Sequence, residues 1–501
     1  TIPAPVGGWN SRDALGAMPP TDAVILQNWF PATTDCQLRL GYSKYATGLG
    51  SQVETLMEYS GGSNRKFFAI TSAGNIYDVS SSGAVGAAAV SGLSNGRWQY
   101  TNVATSGGSY LYLVNGVDKP RLYDGATWTA IDGVSVPAIT GVTTTNLVNV
   151  MLHKFRLWFI EKNTLKAWYL PTAAVGGAAT SFDLSAVARD GGNLVAMMTW
   201  TIDAGYGVDD LLVFLTSNGE VIVYRGTDPA SASTWALVGV WSLGSPIGRR
   251  CAFKYAGDCL VITQDGVVPL SQALQSSRVN PKVALTDKIQ YSTSEAISQY
   301  GSNFGWQLCY FAKENMLLLN VPVSEGSSQQ QYVMNSISKS WCNFTGWAAN
   351  CWEVYNDNLY FGGNGFVGKA WDTNADDGAN VTTDGLQAFN YMKSPAQIKR
   401  FTAMRPIFLT DGQASIAAGL NYDFDSTDNT AVISVNASSA AVWDSAVWDT
   451  SVWGGGLTPS KNWQAVLGQG YCAAPRVKAQ TKMFNVRWES TDINYEAGGI
   501  I

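Results

Sequence analysis

Residues 211–224 read LLVFLTSNGEVIVY, and this stretch decides the fold. Two apolar runs of strand length flank Ser217-Asn218-Gly219, and Asn and Gly readily adopt the positive φ angles of a tight hairpin turn. A second copy of the pattern, KFFAITSAGNIYDV, occupies residues 66–79. Short strands interrupted by Gly, Asn, Asp and Ser fill most of the chain, so the sequence predicts an all-β protein.

The hairpins recur at a regular spacing. Groups of strands begin near Val53, Trp98, Leu147, Leu194, Cys251, Trp306 and Trp352, at intervals of 45 to 57 residues. In several groups a strand ending in Tyr precedes a polar turn, a Ser or Thr, and then an aromatic residue, which is Trp128, Phe182, Trp235 or Trp341. A repeat of about 50 residues with four strands per unit is typical of β-propeller blades.

We therefore predict a β-propeller of six or seven four-stranded blades over residues 53–388. The repeated aromatic residue is expected to fill the wedge between adjacent sheets. One copy is missing near residue 288, where Thr286–Tyr300 carries the pattern of a helix instead. A stack of unrelated β-sandwich modules is the alternative interpretation of the same hairpins.

The two ends of the chain depart from the repeat. Residues 1–52 are rich in proline and predict an N-terminal arm, with a short helix over Asp22–Trp29, that packs along the propeller or reaches a neighbouring subunit. Residues 389–501 predict a separate C-terminal antiparallel β domain. Apolar and polar residues alternate over Ser415–Phe424, which indicates a sheet with one solvated face.

A Val-Trp pair recurs every five residues at Trp443, Trp448 and Trp453. A step of five matches neither one face of a helix nor one face of a strand, so one simple element cannot bury all three rings. They either pack locally against the C-terminal domain or anchor a contact with a subunit or partner, where Trp is favoured.

Composition excludes several classes of protein. The chain has 501 residues, of which 46% are apolar and 14% charged, and its formal net charge is −6. A disordered chain is excluded by the apolar content, and a protein that grips nucleic-acid phosphates is disfavoured by the charge. No apolar run is long enough to predict a transmembrane helix, and the N-terminus lacks the pattern of a signal peptide. The odd number of cysteines, seven, without a Cys-x-x-Cys motif predicts buried free thiols in a reducing cytoplasm.

The sequence carries no catalytic or cofactor-binding motif, so we expect no enzyme activity, no cofactor and no metal site. Its single histidine, His153, lies at a junction between strands and is interpreted as an ordinary turn residue. Asp124-Gly125-Ala126-Thr127-Trp128 is faintly similar to the Asp-box turn of sialidase propellers, which is itself structural. The remaining candidates are Asp203, Asp209 and Asp210, whose carboxylates leave open a carbohydrate-binding or glycoside-hydrolysing propeller as the alternative function.

The first 45 residues carry a distinctive motif. It consists of Gly7-Gly8-Trp9-Asn10-Ser11-Arg12-Asp13, Met18-Pro19-Pro20-Thr21-Asp22-Ala23, Asn28-Trp29-Phe30-Pro31 and Leu38-Arg39-Leu40-Gly41-Tyr42. This motif resembles the opening of the tail nozzle, or DNA-stabilisation and head-completion, proteins of short-tailed bacteriophages. The resemblance implies a β-propeller-like body and a non-enzymatic ring component, typically a hexamer, attached below the portal and adaptor.

The resemblance also implies partners and a location. The protein would be made in the host cytoplasm and would reside in the virion, where it retains packaged DNA and forms the exit conduit, with a possible contact to the host surface. An acidic, lysine-poor chain suits a lumen that DNA must leave, because each neutralised phosphate strengthens binding. A cytosolic scaffold is a third hypothesis. The candidate interface residues are Trp9, Arg12, Asp13, Pro19, Pro20, Asp22, Phe30, Trp443, Trp448 and Trp453.

Overall fold

The computed structural model describes residues 1–203, 208–273, 283–435 and 457–498. The chain opens with five short strands, and the first α-helix, which is four residues long, begins only at Leu270. The opening strands are β1 (Ile2–Pro3), β2 (Gly8–Trp9), β3 (Asp22–Gln27), β4 (Trp29–Pro31) and β5 (Cys36–Leu38).

The body of the chain consists of successive antiparallel units of three or four strands. The strands of the first three units are β6 (Tyr42–Gly61), β7 (Asn64–Thr71), β8 (Ile76–Asp78), β9 (Gly83–Ala84), β10 (Gln99–Thr105), β11 (Gly108–Val114), β12 (Arg121–Tyr123), β13 (Trp128–Ala130), β14 (Ile139–Thr140), β15 (Leu147–His153), β16 (Arg156–Glu161), β17 (Lys166–Tyr169), β18 (Gly177–Ala178) and β19 (Thr180–Asp183). Strands β14 and β18 form a separate parallel pair.

The later units continue the pattern. Their strands are β20 (Leu194–Asp203), β21 (Val208–Thr216), β22 (Glu220–Gly226), β23 (Trp235–Ser242), β24 (Ala252–Tyr255), β25 (Asp258–Thr263), β26 (Gly266–Pro269), β27 (Gln307–Phe311), β28 (Met316–Ser324), β29 (Ser328–Asn335), β30 (Trp341–Thr345), β31 (Cys351–Tyr355), β32 (Asn358–Gly362) and β33 (Asn364–Ala370). Helices α1 (Leu270–Ala273) and α2 (Gln290–Tyr300) follow the three-stranded unit β24–β26.

The first strand of each unit faces a common central cavity of about 550 Å³. Residues from β6, β10, β15, β20, β24, β27 and β31 line it together: Leu56, Asn102, Asn149, Met197, Phe253, Tyr310 and Val354. Antiparallel sheets arranged radially about one cavity form a β-propeller. The predicted all-β propeller fold is therefore confirmed, and the stack of independent sandwiches is wrong.

The repeated aromatic residues lie between neighbouring sheets, as predicted. Trp128 packs edge-on against Phe68 of the preceding unit, with ring centroids 5.1 Å apart. Trp235 stacks on Trp158 of the preceding unit at 5.7 Å. Because the sheets diverge from the axis, these large rings fill the widening gap and bury both faces of each sheet.

Strand β6 closes the ring. Its first half pairs with β33 of the last unit, from Ala370 opposite Tyr42 to Asn364 opposite Gln52. Its second half pairs with β7 of the first unit, beginning with Val53 opposite Thr71. The domain boundary predicted at residue 52 thus falls inside one continuous strand, because a pattern of apolar residues does not reveal which strand pairs with which.

Two sequence expectations about helices had opposite outcomes. The helix predicted over Thr286–Tyr300 is confirmed by α2, which buries Thr293, Ala296 and Ile297 and follows the three-stranded unit β24–β26 in the chain. The helix predicted over Asp22–Trp29 is wrong, because these residues form β3 and the start of β4. Strand β3 pairs with Asp384–Gln387, a strand of the C-terminal sheets, and this tertiary pairing overrides the local pattern.

The C-terminal part forms two antiparallel sheets. Its strands are β34 (Ala375–Asp376), β35 (Ala379–Thr382), β36 (Asp384–Gln387), β37 (Lys399–Thr410), β38 (Ser415–Tyr422), β39 (Ala431–Ile433), β40 (Thr458–Ser460), β41 (Gln464–Gly470), β42 (Ala473–Thr481) and β43 (Val486–Ala497). One sheet has the order β4-β5-β43-β37-β40, and the other contains β3, β36, β42, β38 and β39. Both therefore include strands of the N-terminal arm.

A single buried cluster connects the propeller with these C-terminal sheets. It contains Phe344 and Trp352 of the propeller, Trp29 of the arm, and Phe408 and Trp488 of the C-terminal sheets. Trp29 contacts Trp488 with ring centroids 5.9 Å apart. The arm thus lies between the two bodies and belongs to the core of both.

Candidate functional site

The arm is attached to the propeller by a buried acid. Asp22 is 1% exposed, and its carboxylate accepts hydrogen bonds from Lys288 Nζ at 2.7 Å and from Asn10 Nδ2 at 2.8 Å. Lys288 also donates to the carbonyl oxygen of Gly7 at 2.7 Å. A buried carboxylate is stable only when it is paired and hydrogen-bonded, so these contacts hold the motif against the segment before α2.

The neighbouring motif residues reinforce this attachment. Arg12 forms ion pairs with Asp13 at 2.8 Å and with Asp287, which precedes α2. The hydrogen bond from Arg12 lowers the pKa of Asp13 below its ordinary value. Trp9 packs edge-on against Tyr332 at 5.2 Å. These contacts place Trp9, Arg12 and Asp13 against the chain's own propeller.

The remaining candidates of the arm differ in exposure. Phe30 is buried and packs edge-on against Trp371 at 5.9 Å, so like Asp22 it is inaccessible to a neighbouring chain. Pro19 and Pro20 are exposed and remain available for an intermolecular contact. Trp443, Trp448 and Trp453 lie outside the described residues.

Sequence reasoning missed the largest polar anchor of the arm, Arg39. Its guanidinium is fully buried and forms a bidentate ion pair with Asp376 at 2.9 and 2.6 Å. Its Nε donates to Asn28 Oδ1 at 2.9 Å, and its planar group lies 4.8 Å from the ring of Trp347. Both Asn28 and Arg39 belong to the N-terminal motif, and a charged residue between two leucines was the available signal.

Two glycines of the motif are required by close contacts. A Cβ at Gly8 would lie 2.7 Å from the backbone of Trp341, and its φ is +86°. A Cβ at Gly41 would lie 2.0 Å from the carbonyl oxygen of Ala375. Glycine at these two positions therefore allows the arm to pass closely between the propeller and the C-terminal sheets.

The single histidine, interpreted from the sequence as a turn residue, is the buried last residue of a strand. His153 is 2% exposed at the end of β15, and burial lowers its pKa to about 4. Its Nδ1 lies 3.0 Å from Thr199 Oγ1. The Asp-box-like segment is a turn, as expected, in which Asp124 accepts hydrogen bonds from the backbone of Ala126 and Thr127.

Of the three acids on which the carbohydrate hypothesis rests, the structure describes the side chain of Asp210 alone. Asp203 ends β20 and Asp209 lies in β21, but their side chains are outside the described part of the chain. Asp210 accepts a hydrogen bond from Thr201 Oγ1 at 2.8 Å and lies 3.6 Å from Lys154 Nζ. The carboxylate of Asp210 thus already interacts with Thr201 and Lys154 of the same chain.

The central cavity contains an unusual pair of titratable groups. The hydroxyl of Tyr100 donates to Glu353, and burial raises the pKa of Glu353 to about 7. Burial also raises the pKa of Tyr100, to which the charge of Glu353 contributes. Arg250 lies nearby and donates to Thr55 Oγ1 at 2.6 Å and to the Trp98 carbonyl at 3.1 Å.

A second cavity of about 320 Å³ adjoins the central one. Arg97, Arg249 and Arg250 line it together with Phe304 and Asn115. The guanidinium groups of Arg97 and Arg250 lie 4.4 and 5.2 Å from the ring of Phe304. Three cations thus converge at one end of the propeller of an acidic protein.

Within residues 1–203, 208–273, 283–435 and 457–498, no three His, Cys, Asp or Glu side chains gather as metal ligands would. In the same ranges no helix has the length and apolar character needed to cross a membrane.

No protein-family model matches the chain, and no curated protein matches its sequence. In structure it is similar to the Cps50 (Swd1) β-propeller domain of Myceliophteria thermophila, with 12% identity and a TM-score of 0.37 over 66% of this chain and 97% of that domain. It is also similar to an exo-β-1,3-galactanase of Phanerochaete chrysosporium, with 8% identity and a TM-score of 0.26 over 77% and 95%. For BBS1N, solved in complex with ARL6DN, the identity is 14% and the TM-score 0.29 over 43% of this chain, which spans 64% of that one. These likenesses concern the fold alone.

Proposed function

We propose that this protein is a non-enzymatic structural component of a short phage tail, a ring-forming nozzle that retains packaged DNA and serves as its exit conduit. The observation that carries the proposal is the N-terminal motif. Its resemblance to tail nozzle proteins involves residues with demanding structural roles here, such as Asn10, Asp22, Asn28 and Arg39. A motif that builds the junction between propeller and C-terminal sheets is difficult to reproduce by chance.

The dimensions of the propeller bear on where DNA would pass. The central cavity of about 550 Å³ is obstructed by Tyr100, Arg250 and Glu353 and is too small for a duplex. In a nozzle the conduit would therefore lie between protomers, around the axis of the ring. A net charge of −6 per chain would keep the walls of such a conduit from binding phosphates tightly.

The C-terminal sheets offer apolar side chains for assembly. Trp463, Leu467 and Met483 are 51%, 85% and 67% exposed. Leu467 lies on β41, which pairs with β37 along one side. Exposed large apolar residues favour contacts between protein chains, and a ring would cover them.

Particle composition and oligomeric state test this proposal. Mass spectrometry of purified virions should detect the chain, and native mass spectrometry of the purified protein should show a ring, with six copies expected. Electron microscopy of labelled particles should place the label at the tail. A protein that stays monomeric and is missing from virions would contradict the proposal.

The carbohydrate hypothesis has its own test. A glycan array and hydrolysis assays with Asp203→Ala and Asp209→Ala would detect a sugar-binding or sugar-cleaving propeller. Under the nozzle proposal, no hydrolysis is expected from the parent protein. Hydrolysis that both substitutions abolish would favour the enzyme instead.

A further inference from the structure

One end of the central cavity is rich in arginine. The segments that lead into β10 and β24 carry Arg97, Arg249 and Arg250, and the segment before β27 carries Phe304. Since these strands are the innermost strands of their units, the segments that precede them meet at the same end of the propeller. There they enclose the cavity of about 320 Å³.

The charges of these arginines are unequally compensated. Arg97 forms ion pairs with Glu54 at 3.0 Å and with Glu325 at 2.9 Å. Among the described residues, Arg249 and Arg250 form no ion pair. Arg249 donates to the carbonyl oxygen of Asn115 at 3.2 Å, and all acceptors of Arg250 are neutral oxygens.

The surroundings of Arg249 and Arg250 favour the binding of an anion, because they leave positive charge unbalanced. Partial burial and the positive charge of Arg97 both lower the pKa of Arg249, although its side chain still reaches solvent. Two acids act on Arg250: Glu54, whose carboxylate is already paired with Arg97, and Glu353, which is partly neutral at pH 7 because burial raises its pKa to about 7. Neutral acceptors satisfy hydrogen bonds of a guanidinium group but do not balance its charge.

We propose that this arginine-lined cavity binds a small oxyanion, namely a carboxylate or phosphate group carried by a molecule of monosaccharide size. Guanidinium groups match the geometry of both oxyanions through paired N–H donors. The volume of about 320 Å³ lies at the lower end of the range for small-molecule sites. Phe304 supplies an apolar wall, and the side chains of Asn95 and Gln99 supply polar groups for the remainder of the ligand.

This site is independent of ring assembly. A nozzle protein and a carbohydrate-binding propeller could each possess it, so its failure would leave the proposed function untouched. The proposed site also makes no use of Asp203, Asp209 or Asp210.

Calorimetric titration of the full-length protein tests the proposal with three probes. Glucose 6-phosphate carries a phosphate, glucuronate carries a carboxylate, and glucose is the uncharged reference. We expect saturable binding of at least one anionic sugar, weakened by added salt, and no binding of glucose. The preference between the two anions identifies which oxyanion the site accepts.

Two matched substitutions locate the binding. Arg249→Gln removes an exposed cation of the site and should weaken binding about ten- to hundredfold. Arg400→Gln removes an exposed cation on the C-terminal sheet and should leave it unchanged. Equal effects of the two substitutions, binding of glucose as strong as that of the anions, or no binding of either anion would overturn the proposal.

Discussion

At the scale of single residues, two of the molecule's buried charges lie where the arm meets the rest of the chain. Arg39 and Asp22 are both buried, and each has a charged partner and further hydrogen bonds. Burying a charge costs free energy that only such complete pairing offsets. Their partners, Asp376 and Lys288, lie more than 260 residues away in the sequence.

The ion pair of Arg39 should be a major contributor to stability. Arg39→Gln leaves Asp376 without its bidentate partner, and we expect the free energy of unfolding to fall by about 3 kcal/mol. Arg400→Gln is the control, because its pairing with Glu496 is solvent-exposed and worth less than about 1 kcal/mol. Urea denaturation of the three proteins measures both effects. Similar losses from the two substitutions would refute the structural role of Arg39.

Glu353 should make stability depend on pH. Its pKa is raised by burial to about 7, so the folded protein holds a proton that the unfolded chain releases near pH 4.5. Stability attributable to Glu353 is therefore present below about pH 4.5 and is lost as the pH rises toward 7.

Comparison with Glu353→Gln isolates this effect. The substituted protein should not show that loss, and its advantage over the parent at pH 8 should be on the order of 3 kcal/mol larger than at pH 4.5. Denaturation at both pH values provides the measurement. His153, with its pKa lowered to about 4, acts in the opposite direction but equally in both proteins. An identical pH dependence would contradict the burial of Glu353.

At the scale of elements, β6 is the strand on which the propeller depends. It pairs with β33 and β7 and so joins the last and first units. The sequence predicted strands only from Val53, in the second half of β6, and assigned its first half to the arm, because the residues with which that half pairs lie some 320 positions later. The same limitation explains why the helix predicted over Asp22–Trp29 is wrong. These residues form a strand because they pair with β36, far away in the sequence.

A break in β6 should open the ring locally. Ser43 lies opposite Lys369, and Ser43→Pro removes a backbone donor from the paired strand. We expect a loss of about 1–3 kcal/mol and faster hydrogen exchange in β6 and β33 than in β20–β23. Ser43→Thr keeps the hydroxyl and suits a strand, so it serves as the control. Uniform exchange throughout the Ser43→Pro protein would indicate that closure does not depend on this pairing.

At the scale of the whole molecule, propeller, arm and C-terminal sheets share one buried cluster. The seven cysteines are distributed over this cluster and three others, and all seven are buried free thiols. Burial raises the pKa of Cys251 to about 12 and that of Cys472 to about 11. The thiolate form that reacts with electrophiles is therefore scarce as well as inaccessible.

Thiol reactivity should consequently report on the integrity of the entire fold. With a disulfide-exchange reagent at neutral pH, the native protein should show almost no reaction, and the protein in denaturant should release seven equivalents. Arg39→Gln should accelerate the reaction in mild denaturant, since it loosens the junction near Cys36 and Cys342. Rapid reaction of one or more thiols in the native protein would contradict the burial of the seven cysteines.

The sequence by itself determined the all-β class, the propeller repeat, the helix over Thr286–Tyr300, the wedge aromatics and the fate of the cysteines. Each of these features depends on local patterning or composition, which can be recognised directly in the amino-acid sequence. The tertiary structure alone decided the closure through β6, the placement of the arm within the core, and the convergence of Arg97, Arg249 and Arg250. These features join residues far apart in the chain, and long-range pairing depends on the packing of the whole molecule, which local propensity does not encode.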